Sequence, residues 1–469
     1  MRLFEAKLGV LKHPLLWLLV PFVAVWATLR RVNFLVANFS PDAVSYELLA
    51  KSESLAESLS SVRTLGYPLF LRFLSSVSPD YRAAPTAHLL IYFAVVISFW
   101  WAVRRYTGSP WLAFAWALPL AHPCNLEYIK YVQPDFLGPT VAIAAVASLI
   151  LLVDRPSPLG WTLLAVLTFC SYQMRPDNLF LVALLPLAGV VLLLCRKTFD
   201  TSTLLRFGGG LAVATVAPLL LFMTLRWSVV GQFGVVSFGG YNLIGVTASF
   251  LDEDLVRELP AEHRELAGEI AETRRARRNR PFRADSWTVQ WFRQYSPNVW
   301  HVAEPIARKL LTGAGTTRID GVDVPPLTGE AVFTINRAFK ELSREIIMRR
   351  PVLYLKWVHD AFAVGRGMVF QCKEFSALVL LLALSIPFVI ARAGRRGVCP
   401  PAVGADRALS FLGLATVAGA YFIGRLLLTV LVNEPSPRFV LPAMVFLPGV
   451  LAAALFEVWR WIVPPRSPK

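Results

Sequence analysis

Apolar runs long enough to cross lipid recur along the chain, separated by short polar connections and two long ones. A helix needs roughly 20 mostly apolar residues to cross the hydrocarbon core, and reading for such runs predicts about ten spans. They fall at 15–29, 89–103, 111–121, 136–153, 159–171, 179–195, 207–225, 375–391, 409–432 and 439–463. The first is read as a retained helix, because its apolar core exceeds the roughly 7–15 residues of a cleaved signal and other spans follow it. The two long connections, 32–88 and 227–374, carry helical periodicity instead of the turn-rich alternation of strands. Within the second, residues 336–350 place Phe339, Leu342, Ile346 and Ile347 on one face and Arg337, Lys340, Glu341 and Arg344 largely opposite, before Pro351. A basic amphipathic helix of this kind is expected to lie in the membrane interface.

This pattern predicts an all-α integral membrane protein, a bundle of about ten transmembrane helices with amphipathic helices in two long loops. The chain divides into an N-terminal membrane module (1–230) that carries the loop 32–88, an intervening loop segment (231–374) and C-terminal membrane helices (375–469). Composition agrees. Only 17% of the 469 residues are charged and 55% are hydrophobic, against about 25% charged in soluble domains. Mean hydropathy is +0.53.

Charge then orients the bundle. The net charge of +16 would suggest a nucleic-acid partner in a soluble protein, but here its distribution excludes that. Arg2, Lys7, Lys12, Arg104, Arg105, Arg155, Arg196, Lys197, Arg206, Arg392, Arg395, Arg396, Arg407, Arg466 and Lys469 all fall in alternate connections or at the termini. The positive-inside rule puts these, and both termini, in the cytoplasm. The long loops and the short connections 122–135, 172–177 and 433–438 then face outward. Five cysteines without C-x-x-C or Cys/His spacing give no disulfide framework and no zinc site. The tract 274–283 holds six arginines and reads as a solvated or headgroup-facing surface.

The outward connections hold the candidate chemistry. Ser40 can cap a helix that begins at Pro41, which puts Asp42 in the first turn, where the helix dipole favours its ionised form. Arg63 precedes a Gly/Pro-containing turn at the head of an apolar run, suited to aiming a guanidinium at a lipid phosphate. His122, Glu127, Lys130, Asp135, Arg175, Asp177, Glu434 and Arg438 lie at span ends on the same expected face. Carboxylates gathered with arginines suit a substrate that has both a phosphate and a hydroxyl to be activated.

At these residues the chain resembles the GT-C superfamily of integral-membrane glycosyltransferases, notably its protein-mannosyltransferase and lipid A aminoarabinose-transferase members. That pattern has an acid after the first transmembrane helix, a downstream Tyr and Ala, and a basic residue in a stretch such as R-T-P-G-Y-P. Here stand Asp42, Tyr46, Ala50 and Arg63-Thr64-Leu65-Gly66-Tyr67-Pro68, with Leu65 at the frequent proline. Gln133-Pro134-Asp135 is similar to the second acid, more often Glu, and Glu434-Pro435-Ser436-Pro437-Arg438-Phe439 to the late E-x-x-R-Y element. The likeness is best up to about residue 195. It implies a sugar donor on a polyprenyl phosphate, an acceptor that is a glycan, lipid or protein, and an extracytoplasmic site in a bacterial plasma membrane. Asp42 would serve as general base, Arg63, Arg175 and Arg438 would bind the donor phosphate, and Asp135, Tyr46 and Tyr67 would contact substrate or act as second acid. Some relatives hold a divalent cation between acids; here the dense carboxylate spacing of hard-cation ligands is lacking, so no metal or other cofactor is expected. The alternative is a transporter or flippase for a lipid-linked or anionic substrate. Such carriers usually bury acids or broken helices at mid-membrane depth, where this chain places almost no charge beyond Arg425.

Overall fold

The computed structural model describes residues 14–196, 200–279, 281–283, 291–313, 315, 317–319, 322–324, 328–396 and 405–462. The basic residues Arg2, Lys7, Lys12, Lys197, Arg466 and Lys469 lie outside them. Helix α1 (Pro14–Arg31) leads into three short helices of the first long loop, α2 (Pro41–Lys51), α3 (Leu55–Ser60) and α4 (Gly66–Ser75). Then come α5 (Ala84–Thr107), α6 (Pro110–Ala117), α7 (Leu137–Asp154), α8 (Pro158–Met174), α9 (Phe180–Leu194) and α10 (Thr201–Val230). The second long segment holds α11 (Gly239–Thr247), α12 (Glu253–Glu258), α13 (Ala261–Ala276), a two-stranded antiparallel ribbon of β1 (Thr317–Ile319) and β2 (Val322–Val324), and α14 (Glu330–Arg349). The chain returns through α15 (Pro351–Gln371), α16 (Lys373–Arg396), α17 (Ala405–Val432), α18 (Pro437–Val440) and α19 (Leu447–Ile462). Polar caps start the helices after tight connections: Ser109, Ser157 and Asp200 accept from the N–H groups of Leu112, Gly160 and Thr203.

The fold is all-α with six helical stretches long and apolar enough to cross a membrane, Ala84–Thr107, Leu137–Asp154, Pro176–Leu194, Thr201–Val230, Asp406–Val432 and Pro437–Ile462. A seventh arises if Pro351–Gln371 and Phe375–Ile390, bent by 75°, count as one. Six or seven thus replaces the expected ten among the described residues. Of the other apolar runs, that at 111–121 breaks after Ala117 into a 3-10 turn and α8 has 17 residues, while the first lies within the 18-residue α1.

Burial orders these helices. α7 is apolar all round, and 78% of its span is buried, as befits the centre of a bundle. α10 has only 17% of its span buried and turns Leu220, Leu221 and Leu225 outward, so it stands at the periphery. Arg105 and Arg196 both pair with Asp154, at 3.1 and 2.6 Å, at the end of α7 opposite Asp135. One hydrophobic core fills this bundle; a second joins α11–α14 to the near ends of α15 and α17.

That second core corrects two expectations. Phe339, Leu342 and Ile346 of α14 are fully buried, and Thr247 and Ser343 hydrogen bond at 2.9 Å between α11 and α14. The apolar face of this amphipathic helix therefore packs on protein instead of lying in lipid. Arg274, the first arginine of the basic tract, is also buried, donating to Asn298, Gln294 and the Ala248 carbonyl.

α11 and α14 approach so closely at Gly240 that a Cβ there would sit 2.0 Å from the Asn336 carbonyl oxygen, a backbone atom that cannot swing aside. The Gly240 N–H also donates to Asn336 Oδ1 at 2.8 Å. Gly240→Ala should therefore force the helices apart and cost about 2 kcal/mol or more. Gly268→Ala is the control, since its methyl would meet only Val256 Cγ1 at 3.9 Å and alanine favours a helix. Unfolding midpoints in detergent check both: a lowered midpoint for the first, an unchanged or raised one for the second.

Candidate functional site

Backbone pairing brings the first loop to the mouth of α7. Asn38 donates to the Lys130 carbonyl at 2.8 Å and Val132 donates back to Asn38 at 3.0 Å, an isolated parallel bridge between Asn38 and Tyr131. Ser40 occupies the N-cap of α2, but its hydroxyl makes no capping bond; it donates to Gln133 Oε1 at 2.9 Å and reinforces the bridge. Asp42 and Asp135 are thereby held on facing walls. At the start of α4, Gly66 lies against the end of α8 so tightly that a Cβ would come within 2.6 Å of the Gln173 backbone. This contact draws Arg63 toward Arg175.

The charged side chains form one continuous ladder. Arg63 Nη2 lies 2.6 Å from Asp42 Oδ1, and Arg438 Nη2 lies 2.8 Å from Asp42 Oδ2. The Arg438 guanidinium grips Asp135 with two donors, Nε at 2.5 Å and Nη2 at 2.9 Å. Arg175 pairs with Asp135 through Nη1 and with Asp177 through Nε at 3.1 Å. Arg425 closes the series on Asp177 at 2.9 Å and Asn178 at 2.6 Å. Four guanidiniums alternate with three carboxylates, so the ladder carries one excess positive charge. Its inner part is dry, with the Asp135 and Arg425 side chains fully buried; the Asp42 and Arg438 side chains remain about one-third exposed (31% and 33%).

A cavity of about 630 Å³ opens onto that exposed end. Asp42, Tyr46, Arg63, Asp135, Arg175 and Arg438 all line it. Opposite walls come from α10 (Leu219, Met223), from α17 (Leu428, Val432) and from the second long segment (Phe238, Tyr295, Trp300). Phe238 and Trp300, which line the cavity, stack at 6.0 Å, and buried Tyr241 stacks on both at 5.5 and 5.9 Å. Tyr46 lies under the Arg63 guanidinium at 5.0 Å, a cation–π contact that fixes its orientation. Tyr67, expected at the substrate, is placed elsewhere: its fully buried ring packs edge-on against Tyr46 at 5.4 Å and its hydroxyl meets His88 at 3.3 Å. It supports the wall and does not line the cavity.

Electrostatics distinguish the acids. Burial raises the Asp42 carboxyl, but Arg63 and Arg438 outweigh it and hold its pKa at about 2. Asp135 is lowered in the same way, burial being outweighed by Arg175 and Arg438. Glu434 lines the same cavity, and burial alone pushes its carboxyl up to about 7. A divalent cation does not fit between Asp42 and Asp135, because the Arg438 guanidinium already occupies both carboxylates. Among the described residues no group of three or more His, Cys, Asp or Glu side chains gathers as metal ligands.

Five of the expected site residues, Asp42, Arg63, Asp135, Arg175 and Arg438, thus converge, with Tyr46 beside them. The aromatic wall escaped notice, since Phe238 precedes α11 in a turn and Trp300 lies in a helical stretch (Asn298–Ala303) that is π-helical and so breaks the usual periodicity. Arg425 carried a usable signal, a charge within an apolar span.

Removing the fully buried Asp135 carboxylate would break its pairs with both Arg175 and Arg438, leaving each guanidinium with one carboxylate partner instead of two. Asp135→Asn is therefore expected to lower stability by about 3 kcal/mol or more, whereas Glu47→Gln, which breaks the exposed pair with Lys51, should leave the unfolding midpoint unchanged. Thermal unfolding of both variants in nanodiscs checks this; a stable Asp135→Asn protein would show the ladder to be dispensable. No family profile, no curated protein and no solved structure matches this chain.

Proposed function

We propose that this protein is a membrane glycosyltransferase of GT-C-like architecture, moving a sugar from a polyprenyl-phosphate donor to an acceptor hydroxyl at the outward face of a bacterial plasma membrane. The single observation that carries this reading is the cavity's composition, an arginine-rich ladder on one wall and apolar span residues on another. A lipid phosphate has the same two halves. Its phosphate fits the end of the ladder at Arg63 and Arg438, where guanidiniums offer paired donors. Its hydrocarbon chain fits the side of Leu219, Met223, Leu428 and Val432, walled off from lipid by the peripheral α10.

The charge balance suits the chemistry. A sugar joined through a phosphodiester bears one negative charge; the departing polyprenyl phosphate bears up to two. The excess positive charge of the ladder stabilises the leaving group as that second charge develops, so it acts more strongly in the transition state than in the ground state. Because its ion pairs are preformed, little reorganisation accompanies the step. The stacked aromatic face suits a sugar ring lying between phosphate and acceptor. Two cavity carboxylates, Asp42 and Glu434, are available to take the acceptor's proton. The acceptor is a glycan, lipid or protein. Arg425, the one charge that a carrier reading had in mid-span, is tied into the ladder through Asp177, which weighs against a transporter or flippase.

The test is purified protein in nanodiscs with a panel of radiolabelled undecaprenyl-phosphate hexoses and pentoses and cell-envelope acceptors. Transfer should release undecaprenyl phosphate, and Arg63→Ala should reduce both donor affinity and turnover, each by about tenfold or more. Donor movement between leaflets without release of undecaprenyl phosphate would support the flippase reading instead.

A further inference from the structure

Four carboxylates line the cavity, and they are not alike. Asp42, Asp135 and Asp177 are each held by two guanidiniums. Among the described residues Glu434 has no cation partner. It stands four residues before Arg438, in the short connection between α17 and α18, where the Ser436 N–H donates to the Glu434 carbonyl at 2.9 Å and tightens the turn. The turn therefore carries both an arginine built into the ladder and an unpaired acid facing the same space. Across from it lie Asn242 and Tyr295, whose hydroxyl is engaged by Asn242 Oδ1 at 3.1 Å and by the Val432 carbonyl at 3.2 Å.

We infer that Glu434, and not Asp42, is the catalytic carboxylate that accepts the acceptor's proton in the transfer proposed above, on which this assignment rests. The acceptor oxygen attacks the anomeric carbon and forms the new glycosidic bond. The bond from that carbon to the phosphate oxygen breaks, its electron pair leaving with polyprenyl phosphate on the arginines. The hydroxyl proton moves to a Glu434 carboxylate oxygen and later passes to water.

The physical reason is one of basicity and freedom. A general base works best when its pKa lies near the operating pH. Asp42, at about 2, is a fixed anion whose protonation would undo ion pairs to both Arg63 and Arg438. Its role is to position those arginines. Protonating Glu434, raised to about 7 by burial, breaks no ion pair. Elsewhere around the cavity, burial raises the Tyr46 and Tyr295 hydroxyls, and Asp135 is lowered because its arginines outweigh its burial.

Two measurements on the full chain in nanodiscs decide the matter. The first is binding of radiolabelled undecaprenyl phosphate. Below about pH 6 Glu434 is neutral, and above about pH 8 it is an anion that repels the phosphate, so across that window wild-type affinity should fall about fivefold relative to Glu434→Gln. Glu434→Gln should match wild type below about pH 6, which also shows that the variant is folded, and should bind more tightly than wild type above about pH 8, the ligand's own second ionisation being common to both. The second is transfer from the donor panel. The wild-type rate should rise over the same window, and Glu434→Gln should lose about 10²- to 10⁴-fold at every pH, with Glu434→Asp recovering part of the loss. Asp42→Asn should keep the inflection near neutral pH while weakening lipid-phosphate binding. A Glu434→Gln protein with wild-type transfer and an unaltered pH inflection overturns the assignment while leaving the transferase reading intact. Wild-type protein that shows no saturable undecaprenyl phosphate binding overturns the transferase reading, and the assignment with it. Where no donor in the panel is turned over, an identical pH dependence of binding in wild type and Glu434→Gln overturns the role of Glu434.

Discussion

Arg438 is the side chain on which the rest of the site depends. One guanidinium bridges Asp42 from the first loop and Asp135 from the mouth of α7, elements nearly 400 and just over 300 residues away in sequence. Burying such charges is expensive, and a buried pair is a weak source of stability compared with apolar packing. What the ladder supplies is specificity of arrangement. Each carboxylate has two cationic neighbours, so displacing an inner member breaks ion pairs on both sides of it, and the loops that hold them are confined to one geometry.

That geometry explains why the cavity has two chemical faces. The ladder is anchored in the dry bundle through Arg425 and emerges toward the cavity at Arg438, Asp42 and Arg63. On the other side the wall is made of residues from α10 and α17, helices that also face apolar surroundings. Charge and hydrocarbon meet within one space of about 630 Å³. The proposed ligand, an amphiphile with an anionic head, would use both. The second hydrophobic core serves this arrangement by holding Phe238, Tyr295 and Trp300 over the site, so the described part of the long segment after α10 forms its roof.

Much of the site was legible in the sequence because polar residues at the ends of apolar runs stand out. Asp42, Arg63, Asp135, Arg175 and Arg438 were singled out in that way, and they share the cavity. Their pairing was not legible, since nothing in spacing reveals that one arginine serves two acids from distant loops. The difference between Asp42 and Glu434 was hidden for the same reason: both read as outward carboxylates, and only their cation partners separate them. Tyr67 was misplaced because a tyrosine in a loop motif looks the same whether its ring faces a cavity or packs behind one. For α14 the amphipathic pattern was correct, but a pattern does not say whether protein or lipid covers the apolar face. Of the ten expected spans, six or seven have helices among the described residues that are long and apolar enough to cross a membrane, because apolar composition identifies helix more readily than it measures length.

The central claim is that a lipid phosphate sits on the outer end of the arginine ladder. Its most direct test is solid-state NMR of protein with ¹⁵N-labelled arginine in nanodiscs containing undecaprenyl phosphate, read as dipolar contact between phosphorus and guanidinium nitrogen. Strong ³¹P–¹⁵N contacts that vanish when Arg63 and Arg438 are both replaced by glutamine are the predicted result. Phosphorus contacts that persist in that double variant, or none in the wild type, would contradict it.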